Sequence, residues 1–335
     1  MFNINDQSII YVACPYFNKT GGTELVHQLV YAINHFGGKA IVAYYGSESA
    51  PNEVNPAFRE YVSTFVDIKD VIDSFDNIII LPEINPDLAA NLKSIQKAVW
   101  WMSVDNYLKR NGILGSLKHF GLLRTIKLFV KGNIKIGGYR IDKEIPHLYQ
   151  SEYAKQFLLA KGVKKYYRLS DYLNESYIQQ SISTDTRKDV ILYNPKKGIE
   201  FTRELIKQAP ELTFSPIENM STEQVKKLLS KSKVYIDFGN HPGKDRFPRE
   251  AAISGCCVIT GKRGSAKYYK DIPIPDSYKF EDTVENILNI IETLKSCLKN
   301  YDKHIVDFEK YQQYIKSEHD LFERDVKELF IRNRS

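Results

Sequence analysis

Cysteine is scarce: the 335 residues contain four, two of them adjacent as Cys256 and Cys257. That number and spacing supply neither a metal-ligand set nor a disulfide framework, so a reducing, cytoplasmic setting is expected, with no metal and no required cofactor. Long apolar runs are missing as well. No segment reaches about 18 uninterrupted apolar residues, which argues against a membrane-spanning helix. The N-terminus, MFNINDQSIIYVACPYF, lacks the basic stretch and long apolar run of a secretory leader. Neither GxGxxG nor GxxxxGK[ST] occurs, so phosphate-binding loops of those two types are excluded. Internal repeats and low-complexity stretches are also absent.

What remains is an ordinary globular composition, 43% hydrophobic and 26% charged. A chain of 335 residues exceeds what one core usually organises, so two domains are expected. The net charge of +6 suits an acidic substrate or an anionic membrane surface; a nucleic-acid partner is not expected.

Short apolar runs alternate with helical periods along the first half. Ser8 to Cys14 reads as a strand and KTGGTELVHQLVYAINHFGG as a glycine turn and helix. Further strands are expected at Lys39 to Tyr45, Val62 to Ile68, Asn77 to Leu81 and Ala98 to Val104, with a helical stretch from Asp87 to Gln96. Strands alternating with helices, without tight hairpin turns, indicate parallel βαβ units. A Rossmann-like domain over 1–170 follows, its strand at Ile145 to Gln150 leading to a helix capped by Ser151.

Acidic residues vanish from Asn106 to Ile141, where eight Lys or Arg residues stand among apolar ones at a roughly helical period. A basic amphipathic segment suits an anionic lipid surface or a lipid-linked phosphate. The alternative is a solvated basic face.

A polar stretch over 171–188 reads as a linker, and a second Rossmann-like domain over 189–299 begins with the strand VILY and the turn NPKKG. A helical tail, 300–335, could cross back to the first domain. The centre of this half is VYIDFGNHPGKDRFPREAAISGCCVIT, residues 234–260, which reads as strand, polar basic loop, Pro-started helix and strand. Ligands of such units gather at the carboxyl ends of the strands, where helix starts offer free amides to anions. The loop carries His241, Lys244, Asp245, Arg246, Arg249 and Glu250.

Two such halves facing a central cleft suit a nucleotide-containing ligand. Gly21 and Gly22 stand where a backbone could approach a phosphate or acceptor, or form a plain turn. Lys196 and Lys197 could meet a diphosphate. A carboxylate such as Glu250 could accept ribose hydroxyls, or simply favour a helix start by roughly 0.3 to 1 kcal/mol. Asp105, after AVWWMSV, could be a general base or a helix cap. His27, His35 and His147 read as structural.

The run SEYAKQFLLAKGV, NPKKG, STEQVKKLLSKSKVYID and HPGKDRFPREAAISGCCVITGKRGS resembles the landmarks of GT-B nucleotide-sugar-dependent glycosyltransferases, most closely the retaining group that assembles bacterial surface polysaccharides. The resemblance covers most of 1–300 and is tight from about 190 to 265. It implies that Glu250 holds the donor ribose, that Lys196 and Lys197 bind the diphosphate, and that Gly21 and Gly22 face donor or acceptor. The expected function is sugar transfer to a glycan or lipid-linked acceptor at the inner face of the membrane. A sugar-nucleotide epimerase and a non-catalytic binding module are the alternatives. One departure stands out: the family often shows two glutamates separated by seven residues, and the position eight before Glu250 is Pro242. His241, Lys244 or Asp245 could take that carboxylate's place.

Overall fold

A computed structural model describes residues 1–46, 53–130, 138–179 and 187–331. The chain forms two compact units, the first comprising Met1–Asp171 and the chain from Asp320 onward, the second Tyr172–His319.

The first unit runs β1 (Ile10–Pro15), α1 (Gly21–His35), β2 (Ala40–Tyr45), β3 (Phe65–Asp67), β4 (Ile78–Pro82), β5 (Gln96–Trp101), α2 (Val104–Arg110), α3 (Ile113–Val130), β6 (His147–Tyr149), α4 (Glu152–Ala160) and β7 (Tyr166–Arg168). Its strands form a sheet in the order β3-β2-β1-β4-β5-β6-β7, and every pairing is parallel. The reason is visible in β4, which is buried throughout: a strand covered on both faces is an apolar run rather than an alternation. Helix α1 buries Leu25, Val26, Leu29, Val30 and Ile33, each worth roughly 1.5–3 kcal/mol of transfer free energy. Its start is fixed by Thr20, which forms a capping box with Thr23.

The second unit runs α5 (Glu175–Ile178), β8 (Lys188–Tyr193), α6 (Ile199–Gln208), β9 (Thr213–Pro216), α7 (Thr222–Ser230), β10 (Ser232–Asp237), α8 (Arg246–Ile253), β11 (Cys257–Gly261), β12 (Lys279–Phe280), α9 (Ile287–Lys299) and α10 (Tyr301–Ile305). The sheet order is β12-β11-β10-β8-β9, again all parallel. The long α11 (Glu309–Phe330) begins in this unit and ends in the first. The order reverses direction between β8 and β10 in this sheet and between β1 and β4 in the other, and loops at such switch points are where open α/β sheets bind ligands.

Several expectations change. The helix expected from Asp87 to Gln96 is a single 3-10 turn, Pro86–Ala89. The residues are adequate helix formers, but the Asp73 carboxylate accepts the amides of Lys93, Ser94 and Ile95 at 2.8, 2.8 and 2.9 Å. A cap from outside the segment thus holds those amides in place of an i−4 ladder. Lys279 and Phe280 form the edge strand, and the helix that follows, α9, starts only at Ile287. The short β7 and α5 carry no sequence period long enough to announce them. Within the expected linker, 180–186 lie outside the described residues, as do 131–137 of the basic segment, including Lys131 and Lys135.

Candidate functional site

The residues singled out in the second unit converge at the carboxyl ends of β8, β10 and β11, on loops held together by backbone contact. Gly198, the N-cap of α6, has φ 57° and ψ 27°. A Cβ there would lie 2.6 Å from the Phe238 carbonyl carbon, so only glycine fits both the left-handed backbone and the approach. Gly264 has φ +58°, and its Cβ would lie 2.0 Å from the His241 carbonyl oxygen. Ser265 completes the contact, its amide donating to the His241 carbonyl at 2.9 Å and its hydroxyl to that of Gly243 at 2.6 Å. The loops at 194–198, 238–245 and 261–265 are therefore one packed platform.

Charge is distributed through this platform in two networks. In the first, wholly buried His241 lies with Nε2 3.5 Å from Asp237 Oδ1 and Nδ1 3.1 Å from Asp245 Oδ2. Asp245 also pairs with Lys197 Nζ at 2.5 Å. Burial pulls the imidazole pKa down, yet Asp237 and Asp245 outweigh it and leave it above its ordinary value. Burial pushes Asp245 up, but His241 and Lys197 outweigh that and hold it below the usual carboxylate range. The carboxylate is thus ionised. Among the described residues, Asp237, His241 and Asp245 are the one group whose ligand atoms, within 4.8 Å of one another, could hold a metal ion.

The second network centres on Glu318 of α11. Lys244 Nζ lies 2.7 Å from Glu318 Oε1, and Arg249 donates to Oε2 at 2.8 Å; none of the three side chains is more than 2% exposed. Arg249 also donates to the carbonyls of Asp245 and Lys244 at 3.2 and 3.0 Å. Lys244 and Arg249 are therefore engaged in holding α11 against the α8 loop rather than being offered to a ligand. Nothing in the sequence near either residue signals Glu318, which lies 69 positions beyond Arg249.

Arg246 and Glu250 differ from these. Arg246 is the first residue of α8, its side chain about a third exposed, and its Nε lies 3.4 Å from Glu250 Oε1. The Tyr177 hydroxyl bonds to Glu250 as well, and its own pKa is raised, by burial first and then by Glu250. Because α8 begins at Arg246, Glu250 is its fifth residue and lies beyond the first turn to which the helix-dipole effect is confined. The helix dipole therefore does not explain a carboxylate at Glu250. Lys196 is exposed and Lys197 partly so, both on the loop after β8 at the switch point.

In the first unit, Gly21 and Gly22 open α1 at the carboxyl end of β1. A Cβ on Gly22 would meet only ordinary contacts, the nearest being Met102 Sδ at 3.7 Å. Asp105 lies in the first turn of α2 at the carboxyl end of β5; the cap is Ser103, and the Asp105 carboxylate accepts the Tyr153 hydroxyl at 2.8 Å. His27 bonds to Tyr44 Oη at 2.7 Å and His147 accepts from Trp101 at 2.8 Å, and both are buried.

No protein-family model matches the sequence, and no curated protein matches it. Solved structures do. Sucrose-phosphate synthase from Thermosynechococcus elongatus superposes with a TM-score of 0.64 at 11% identity, over 96% of this chain and 98% of that one. Anabaena HepE in complex with UDP gives 0.62 at 11% identity, over 96% and 99%. The fold is GT-B. The chain spans 54% of S. aureus TarM, with 14% identity and a TM-score of 0.49 over 78% of its own length. Within the GT-B fold, the two parallel sheets account for the two units, and the β8–β10 switch point is where the platform lies.

Proposed function

We propose that this protein is a glycosyltransferase that takes a sugar from a nucleotide-sugar donor held at the carboxyl end of the second sheet and passes it to a glycan or lipid-linked acceptor. The observation that carries the reading is the grouping of Lys197, Arg246 and Glu250 beside the rigid, glycine-packed loops at the β8–β10 switch point. Lys197 and Lys196 meet the diphosphate, with Arg246 and the amide end of α8 nearby; Glu250 takes the ribose hydroxyls, a ligand competing there with Arg246 for the carboxylate. Positive groups aimed at a leaving diphosphate stabilise charge as it develops, without reorganising at the moment of reaction. Lys244 and Arg249 have no direct part in this scheme, and Asp245 and His241 act by holding Lys197. Gly21 and Gly22 serve the acceptor side, with Asp105 as its base.

HepE was crystallised with UDP and with UDP-glucose, which makes UDP the first nucleotide to try. Transfer is favoured over epimerisation because the similar structures are a synthase and glycosyltransferases. Thermal shift with UDP, GDP, CMP, TDP and ADP tests the reading. One nucleotide at about 100 times its Kd should add roughly 2.7 kcal/mol of stability; no response to any of them removes the donor site. Donor cleavage without acceptor dependence would support the epimerase, and a nucleotide response without turnover the binding module.

We also infer that α3 rests on an anionic membrane surface. Leu114, Leu122, Leu123 and Val130 are 84, 64, 85 and 78% exposed beside Lys118, Arg124 and Lys127, the composition of an interfacial helix. No described helix is long and apolar enough to cross a membrane.

A further inference from the structure

Parallel neighbours such as β4 and β5 are usually joined by a helix, but this crossover holds only the turn Pro86–Ala89. The segment around Tyr139, Ile141 and Ile145 packs against Val99 and Trp101 instead. Between them lies a cavity of about 170 Å³ lined by Leu81, Glu83, Val99, Trp101, Tyr107 and Arg140, among others. Drug-sized ligands occupy roughly 300 Å³ or more, so this space suits a single ring. The polar atoms of the two aromatic residues are already engaged, since Trp101 Nε1 donates to His147 Nδ1 at 2.8 Å and Tyr107 Oη to the Tyr139 carbonyl at 2.7 Å. Their rings can offer a ligand only carbon faces.

Glu83 is the exception. It follows β4 directly at the β1–β4 switch point and is 3% exposed. Its carboxyl bonds to backbone amides, Met102 N to Oε2 at 3.4 Å, and to no side chain among the described residues. Burial raises its pKa to about 7 against smaller lowering effects from those amides and Arg110. Near neutrality such a carboxyl both donates and accepts, as a hydroxyl partner requires.

We propose that the cavity beside Glu83 binds one pyranose ring, its C–H face against the Trp101 and Tyr107 rings and a hydroxyl on the Glu83 carboxyl. The electron-rich face of an aromatic ring attracts polarised C–H groups, and a carboxyl with no side-chain partner gains one. This site lies wholly in the first unit and stands apart from the donor reading.

Saturation-transfer NMR on the full chain with methyl α-glucopyranoside, methyl α-galactopyranoside and methyl α-mannopyranoside tests it. At least one should show saturation of its ring protons. Glu83→Gln should weaken that glycoside by about tenfold, as loss of a hydrogen bond worth ~1.4 kcal/mol would. Ala90→Trp, which fills the cavity from its exposed wall and leaves Glu83 in place, should abolish binding even if the glutamine variant fails to fold. No saturation with any of the three glycosides, or wild-type binding by both variants, overturns the proposal. Circular dichroism reports the folding of each variant. UDP thermal shift on the same samples reports the second unit separately: a UDP response without glycoside binding sinks this inference alone, and the converse sinks only the donor reading.

Discussion

Glu318 shows how far a residue's role depends on partners remote in sequence. Its carboxylate pairs with two buried cations, Lys244 and Arg249. Removing one partner of a buried pair leaves an uncompensated charge and costs about 3–5 kcal/mol, so Glu318→Ala should lower the unfolding free energy measured in urea by that much, whereas Lys196→Ala, at an exposed position, should stay within about 0.5 kcal/mol. His241 gives a pH signature. Its folded pKa lies above the unfolded value, so its contribution is full below the unfolded pKa and is lost as pH rises through the folded one. Urea unfolding of the wild type should therefore show stability falling as pH rises through that window, and His241→Asn should flatten the slope; an unchanged slope would mean another group titrates. At this scale the sequence was legible in part. The loop HPGKDR stands out by its residue types, but these do not show that His241, Lys244 and Arg249 face inward while Lys197 and Arg246 stay partly open. That depends on Glu318, Asp237 and the glycine contacts, none of them local.

Elements were read more readily than residues where a pattern was long. The buried apolar run of β4 and the periodic face of α1 each announce themselves, whereas β7, three residues long, does not. Asp73 capping the end of the β4–β5 crossover is a tertiary effect that propensity cannot reveal. Helix α3 carries the element-level prediction. It is broken at Gly121, whose φ of 72° and ψ of 173° lie outside the helical region, and among the described residues Leu114, Leu122 and Leu123 stay exposed. The chain should float with vesicles containing anionic lipid at low salt, each nearby cation contributing about 1 kcal/mol. Leu122→Ser with Leu123→Ser should weaken flotation by about tenfold or more, given ~0.8 kcal/mol per buried methylene. Equal binding to neutral vesicles would point to simple hydrophobic adhesion, and no binding to anionic ones would make α3 a solvated face.

At the scale of the molecule, strand–helix alternation and length sufficed to anticipate two parallel α/β units, because βαβ connectivity leaves few ways to bury such strands. The strand orders that create the two switch points follow from which strands pair, which is not written in any single segment. The proposed sites lie at those switch points: Lys197, Arg246 and Glu250 beside one, Glu83 and the Gly21–Gly22 turn beside the other. Calorimetric titration of UDP into the wild type and Glu250→Ala decides whether Glu250 holds a nucleotide's ribose, as we propose. The wild type should bind, and the variant should lose about 1.5–3 kcal/mol, the worth of a hydrogen bond to a charged group; equal affinity in a folded variant would refute the assignment.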